Sequence, residues 1–183
     1  YGDGGGKHER AFAREYARKG MVVFLPDYFP GRHSDEDPAQ VQAAVQAYGP
    51  FLEEPAKAQR IALLGLQQLT SLDFVDADKV GAVGFCYGGG VCNALGGAYP
   101  EMPASVPYYG RQAAAADVPA IKAAMMLHYG GLDKRVNAGW PAYEAALKAH
   151  GTDYQAFIYA DANHGFHNDS TARYDEAQAK LSW

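Results

Sequence analysis

Cysteine is nearly absent from this chain: two among 183 residues, Cys86 and Cys92. Two cannot build a disulfide framework. If the residues from Gly88 onward are helical, Cys92 leaves on a different helical face from the turn holding Cys86, so a bridge between the two is not expected. A reducing compartment follows as the expectation, which places the protein in the cytoplasm. An excess of positive charge is also missing. Sixteen Lys and Arg stand against 21 Asp and Glu, for a net charge of −5, which disfavours nucleic acid and anionic membrane surfaces as partners. No apolar run reaches the length of a membrane span. There is no internal repeat and no low-complexity tract. The chain begins "YGDGGGKHER" without an initiator Met and stops at "EAQAKLSW" inside a helical pattern. The expectation is a chain trimmed at both ends, which leaves a periplasmic or secreted origin open.

What is present is one domain's worth of ordinary globular composition, 48% hydrophobic and 20% charged, long enough to bury a core without staples. The expectation is a single domain, residues 1–183, and a monomer. Helical and extended patterns alternate. "ERAFAREYARKG" has Phe12 and Tyr16 four apart and Gly20 as a stop, and so predicts a helix. "MVVFLP" predicts a short buried strand, and "PGRHSDEDP" a surface loop. "PAQVQAAVQAYG" and "EEPAKAQRIALLGLQQLTSL" predict two helices, the second with Pro55 in its first turn. Val80–Phe85 predicts a strand and Gly88–Ala98 a helix of small residues. "ASVPYYG" reads as a short strand or loop, "IKAAMMLHYG" as a strand, "WPAYEAALKAHG" as a helix, "DYQAFIY" as a strand and "TARYDEAQAKLSW" as a closing helix. Strands that are almost continuously apolar are expected where both faces are buried. The pattern predicts an α/β domain with a mostly parallel sheet covered by helices on both faces.

In such sheets, sites form at the carboxyl ends of strands. Cys86, Asp133 and His164 each follow a different predicted strand, in the order nucleophile, acid, base. Gly84-Phe85-Cys86-Tyr87-Gly88 has the elbow form Gly-x-nucleophile-x-Gly, in which a sharp strand-to-helix turn lifts the nucleophile above the sheet. Residues two away on either side are expected to be glycine because a side chain would clash. Gly89 and Gly90 are expected to let the helix start lie close to the sheet. The Tyr87 N–H would face a developing oxyanion, and the helix start would lower the thiol pKa. His164 can take the proton, and Asp133 can fix the imidazole tautomer. That chain order, with the elbow, is the signature of one fold.

Each residue has a plainer reading beside it. Cys86 could be a buried structural thiol, and Asp133 an ordinary turn residue in "GGLDK". Cys92 reads as helix packing and His128 as a satisfied core histidine. His164 and His167 form a His-x-x-His pair, but no third ligand stands at helical or hairpin spacing, so no metal site is expected. His167 reads as a pocket wall or surface residue. Tyr108 and Tyr109 read as packing and Arg111 as solvated; Tyr109 and Arg111, at the strand ends, are also candidates for the substrate pocket.

The segments "GFCYGG", "LHYGGLDKRV" and "ANHGFHND" resemble the dienelactone hydrolase family of α/β-hydrolases, and the resemblance runs from "ERAFAREYARKGMVVFLPD" to "RYDEAQAKL". It implies a Cys-Asp-His triad at Cys86, Asp133 and His164. It implies hydrolysis of a small-molecule ester or lactone through an acyl-enzyme, with no metal or organic cofactor. The family's loop before its first helix supplies a second oxyanion N–H. Here that loop would be the "YGDGGG" remnant, with Gly2 and Asp3 as candidate donors and Asp3 in place of the Glu that meets the resting thiol. An Arg four residues after the catalytic His holds a substrate carboxylate in studied members, and that position here is Asn168. The resemblance therefore implies ester or lactone chemistry without that anchor. Two other readings stand beside it: a thioesterase or general carboxylesterase with the same triad, and a catalytically silent binding module on the same fold.

Overall fold

The computed structural model describes residues 6–26, 46–47 and 54–183. The chain divides into two compact units, residues 1–75 and 76–183.

In the first unit, helix α1 (Lys7–Arg18) stacks Phe12 on Tyr16, ring centroids 5.8 Å apart. It ends at Gly20, whose φ of 85° is one that glycine adopts freely at a helix stop. Helix α2 (Pro55–Thr70) has proline in its first turn, where the missing N–H costs nothing. The run 21–26 is not a strand, contrary to its apolar pattern. It has no regular structure, and Met21, Val22, Val23 and Phe24 are exposed. Phe24 rests against Gly65 of α2, where any side chain would collide with its ring. An apolar run becomes a strand only where a neighbour completes its hydrogen-bond ladder, and the described residues of this unit contain no strand. The predicted helix over 38–49 and the loop "PGRHSDEDP" lie outside the described residues, apart from helical residues 46–47.

The second unit carries a four-stranded sheet of β1 (Gly81–Phe85), β2 (Ala104–Tyr108), β3 (Ala124–Gly130) and β4 (Tyr154–Tyr159). The strands pair in chain order, all parallel. Helix α3 (Tyr87–Ala98) follows β1 and lies on the face bearing Gly84 and Ser105; the Ser105 hydroxyl donates to Cys92 O at 3.1 Å. Tyr108, three residues beyond Ser105, points to the opposite face. There its hydroxyl donates to Ser182 O at 2.6 Å, at the end of the closing helix (Glu176–Ser182). Helices thus meet both faces. The closing helix begins later than its apolar pattern suggested because Asp175 caps it, accepting from Gln178 N–H.

Burial is uneven along the strands. The last two residues of β1 and β2, the last four of β3 and the last of β4 are buried, while Val83, Met126, Phe157 and Ile158 are exposed. The expectation of strands buried throughout both faces is corrected to burial concentrated at their carboxyl ends. One register row crosses the sheet there: Phe85, Tyr108, His128 and Phe157. Successive ring centroids lie 4.8, 4.2 and 5.4 Å apart. His128 is a core histidine but is satisfied on one nitrogen alone: among the described residues its buried Nε2 has no hydrogen-bond partner. Its Nδ1 pairs with the Tyr159 hydroxyl at 2.9 Å, and burial, with His167 nearby, pushes its pKa down to about 4.

Candidate active site

The strands deliver their following loops to one edge, and backbone hydrogen bonds join the loops after β3 and β4. Gly131 N–H donates to Tyr159 O at 2.7 Å, and Leu132 N–H to Ala162 O at 3.0 Å. That zipper brings together Asp133 and His164, which are 31 residues apart. Asp133 also caps the short helix α4 (Lys134–Asn137): its Oδ1 accepts from Val136 N–H at 3.1 Å, while its Oδ2 meets His164 Nδ1 at 2.5 Å. One oxygen of Asp133 thus serves the turn while the other meets the histidine.

Cys86 stands between β1 and α3 with φ 55° and ψ −112°, in the positive-φ region that L residues seldom hold. Its N–H donates to Tyr108 O at 3.0 Å, and its carbonyl accepts from Gly90 N–H at 3.1 Å. The turn folds helix α3 back over β1 so closely that a Cβ on Gly84 would lie 2.2 Å from the Gly88 carbonyl oxygen. Gly84 is thus required by contact. Gly88 is not: among the described residues, a Cβ there would meet nothing within 4 Å. Gly89 supplies the close approach, since a Cβ on it would lie 2.5 Å from Tyr108 O, whereas one on Gly90 would make ordinary contacts.

His164 Nε2 lies 3.0 Å from Cys86 Sγ, within hydrogen-bond reach for sulfur. Burial raises the Cys86 pKa, but the hydrogen bond and charge of His164, with the Tyr87 N–H among smaller contributors, bring it below the ordinary thiol value. The His164 pKa is raised, first by its hydrogen bond to Cys86 and against burial, with Asp133 adding to the rise. Both shifts favour a thiolate–imidazolium pair. Cys92 behaves oppositely: it is buried in α3, free of any bridge, and pushed up to about 12 by burial.

Tyr109 is fully buried, with its ring edge-on to His164 at 5.2 Å. His167 is buried against the aromatic row, 5.4 Å from Phe85 and 5.2 Å from Tyr108. Arg111 is exposed, and its carbonyl accepts from Asn93 Nδ2 at 2.8 Å. Asn168 turns into its own loop, its Oδ1 accepting from the Ser170 N–H and hydroxyl. Gly2 and Asp3 lie outside the described residues. No His, Cys, Asp and Glu cluster able to hold a metal occurs among the described residues, and no helix among them is long and apolar enough to cross a membrane. Asn93 escaped the sequence reading. It is fully buried, donates to Arg111 O, and accepts from the Tyr143 hydroxyl at 3.3 Å. An amide inside the apolar stretch "VCNALGG" was the available signal.

The chain is similar in sequence and in fold to several known proteins. A protein of Aquifex aeolicus, named by inference carboxymethylenebutenolidase, is 26% identical over 171 residues, covering 91% of this chain and 73% of its own. The crystal structure of a dienelactone hydrolase-like promiscuous phosphotriesterase from metagenomic libraries superposes with a TM-score of 0.78 at 26% identity, over 97% of this chain and 77% of that one. A structure from Klebsiella pneumoniae, named by inference a dienelactone hydrolase, gives 0.74 at 21% identity, over 97% and 78%. The profile of the dienelactone hydrolase family matches residues 3–183. The chain therefore belongs to the dienelactone hydrolase family, hydrolases built on the α/β-hydrolase fold.

Proposed function

We propose that the protein hydrolyses small carboxylic esters or lactones through a thioacyl-enzyme on Cys86. The observation that carries this reading is the line Cys86 Sγ, His164 Nε2, His164 Nδ1, Asp133 Oδ2, with its two contacts of 3.0 and 2.5 Å. In the first half-reaction the thiolate attacks the carbonyl carbon. The C–O bond to the leaving group breaks, and His164 gives that oxygen its proton. In the second, His164 takes a proton from water, the hydroxide adds to the acyl carbon, and the C–S bond breaks to return the thiolate. Asp133 orients the imidazole and stabilises its charged form. Tyr87 N–H, at the start of α3, is the oxyanion donor in this reading.

The likeness to a promiscuous phosphotriesterase favours a second reading on the same thiolate: slow turnover of neutral phosphotriesters. Thioesters and simple aryl esters belong in the same substrate panel.

Alkylation of the thiol as a function of pH tests the proposal. Because the Cys86 pKa is lowered and the His164 pKa raised, the thiolate persists below the ordinary thiol range. Iodoacetamide is therefore expected to label Cys86 rapidly at neutral pH, with the rate falling only on the acid side. Intact-mass measurement reads one label and a parallel loss of esterase activity. Slow labelling that rises only through the ordinary thiol range, or activity surviving full labelling, contradicts the reading.

A further inference from the structure

We infer that Tyr109 is a positioning residue for His164, its buried ring being the surface that sets the imidazole between Cys86 Sγ and Asp133 Oδ2. The inference rests on the reading of those three residues as the reacting line. Hydrogen bonds at Nε2 and Nδ1 fix a line through the imidazole but leave the ring free to rock about it. A neighbour against the ring removes that freedom. Tyr109 meets His164 edge-on, with centroids 5.2 Å apart and planes at 60°, in the range of favourable aromatic pairs. Phe166 braces Tyr109 in turn, at 5.4 Å and 69°.

The backbone is committed to this arrangement. Tyr109 has φ 37°, a conformation a bulky residue seldom holds unless its surroundings impose it. Its N–H donates to His128 O at 2.7 Å. Gly110 follows, packed so closely on Gly89 and Gly90 that a Cβ on it would lie 2.2 Å from the Gly89 carbonyl carbon. Asn93 then clamps the next carbonyl, that of Arg111. The preceding residue, Tyr108, offers the carbonyl that accepts the strained Cys86 N–H. One dipeptide at the end of β2 thus holds the nucleophile through its backbone and the base through its ring. Tyr109 is fully buried, so it acts through His164 rather than on substrate.

The experiment compares Tyr109→Phe and Tyr109→Met with the wild type in ester hydrolysis, thiolate absorbance and the pH profile of alkylation. Phe keeps the ring and is expected within about 2-fold of wild-type kcat, whereas Met keeps the bulk without the ring and is expected to lose about 10- to 100-fold in kcat with KM little changed, the scale of a small misplacement of a reacting group. The alkylation profile of the Met variant should move back toward that of an ordinary thiol. Wild-type kcat in the Met variant overturns the inference. So does a rise in KM at unchanged kcat, or a Phe variant as impaired as Met. If the Met variant fails to fold, nuclear Overhauser contacts between the Tyr109 and His164 ring protons in the wild type decide: their presence is expected, and their absence overturns the inference. A wild type without the thiolate signal refutes the underlying reading, whereas a Met variant retaining both signal and rate refutes only the role of Tyr109.

Discussion

Cys86→Ala is expected to abolish ester turnover while leaving the fold intact. The variant removes one sulfur from a half-buried position. Residues around it keep their backbone bonds, from the Cys86 N–H to Tyr108 O and from Gly90 N–H to the Cys86 carbonyl. Alanine inherits the same positive-φ strain, so the melting temperature should change little. The loss in kcat should be about 10⁴-fold or more, as for removal of other covalent nucleophiles. Cys92→Ala is the control. That thiol is buried, protonated and distant from solvent, and the variant should keep near-normal kcat while losing some stability to the cavity left in α3. Hydrolysis of a p-nitrophenyl ester by both variants reads the contrast. Activity of Cys86→Ala within about 10-fold of the wild type sinks the covalent mechanism, because residual binding and oxyanion stabilisation alone leave far less.

Asp133→Asn is expected to separate catalysis from folding at a residue that serves both. Asparagine caps helices about as well as aspartate, so the bond to Val136 N–H survives and the melting temperature should hold. Towards His164 the change is severe. An amide NH₂ facing Nδ1 makes that nitrogen an acceptor and puts the ring proton on Nε2, where it points at the sulfur. Nδ1 then cannot remain protonated without losing its partner, and the imidazolium loses its counter-charge. The expected fall in kcat is about 10³- to 10⁴-fold, the scale for a wrong tautomer in an analogous triad. Asp133→Ala should match that loss and also cost about 1 kcal/mol of stability through the cap. Differential scanning calorimetry beside steady-state kinetics measures both. An Asn variant with normal kcat would mean that Asp133 is only a turn residue; one that unfolds early with its remaining folded fraction fully active would mean the same.

The grouping of Cys86, Asp133 and His164 was legible because their placement leaves local marks. Gly84 must be glycine for α3 to fold back over β1. Asp133 and His164 sit just past apolar runs, so their place at the sheet edge followed from topology alone. Pro55 and Gly20 marked helix ends for equally local reasons. What escaped depends on distant partners. Residues 21–26 have the apolar pattern of a strand, but pattern supplies no neighbour, and the segment has no regular structure. Gly88 completes the elbow motif but lies in open space among the described residues, while Gly89, outside the motif, makes the tight contact. The uneven burial of the strands cannot be read from their composition, because Phe157 and Ile158 are as apolar as any core residue and still exposed. Nothing local to "PYYGRQ" says that its second tyrosine carries a positive φ and lies against His164. That is a property of four elements meeting.

The central claim is a covalent bond between substrate and Cys86, and intact-mass spectrometry of the enzyme quenched in acid during turnover of p-nitrophenyl acetate tests it most directly. The account predicts an acetyl increment on the wild type, mapped by peptide digestion to Cys86, absent from Cys86→Ala and decaying as product forms. Turnover at a normal rate with no increment under rapid quenching, or an acetyl group mapped to another residue and released at the turnover rate, would contradict it.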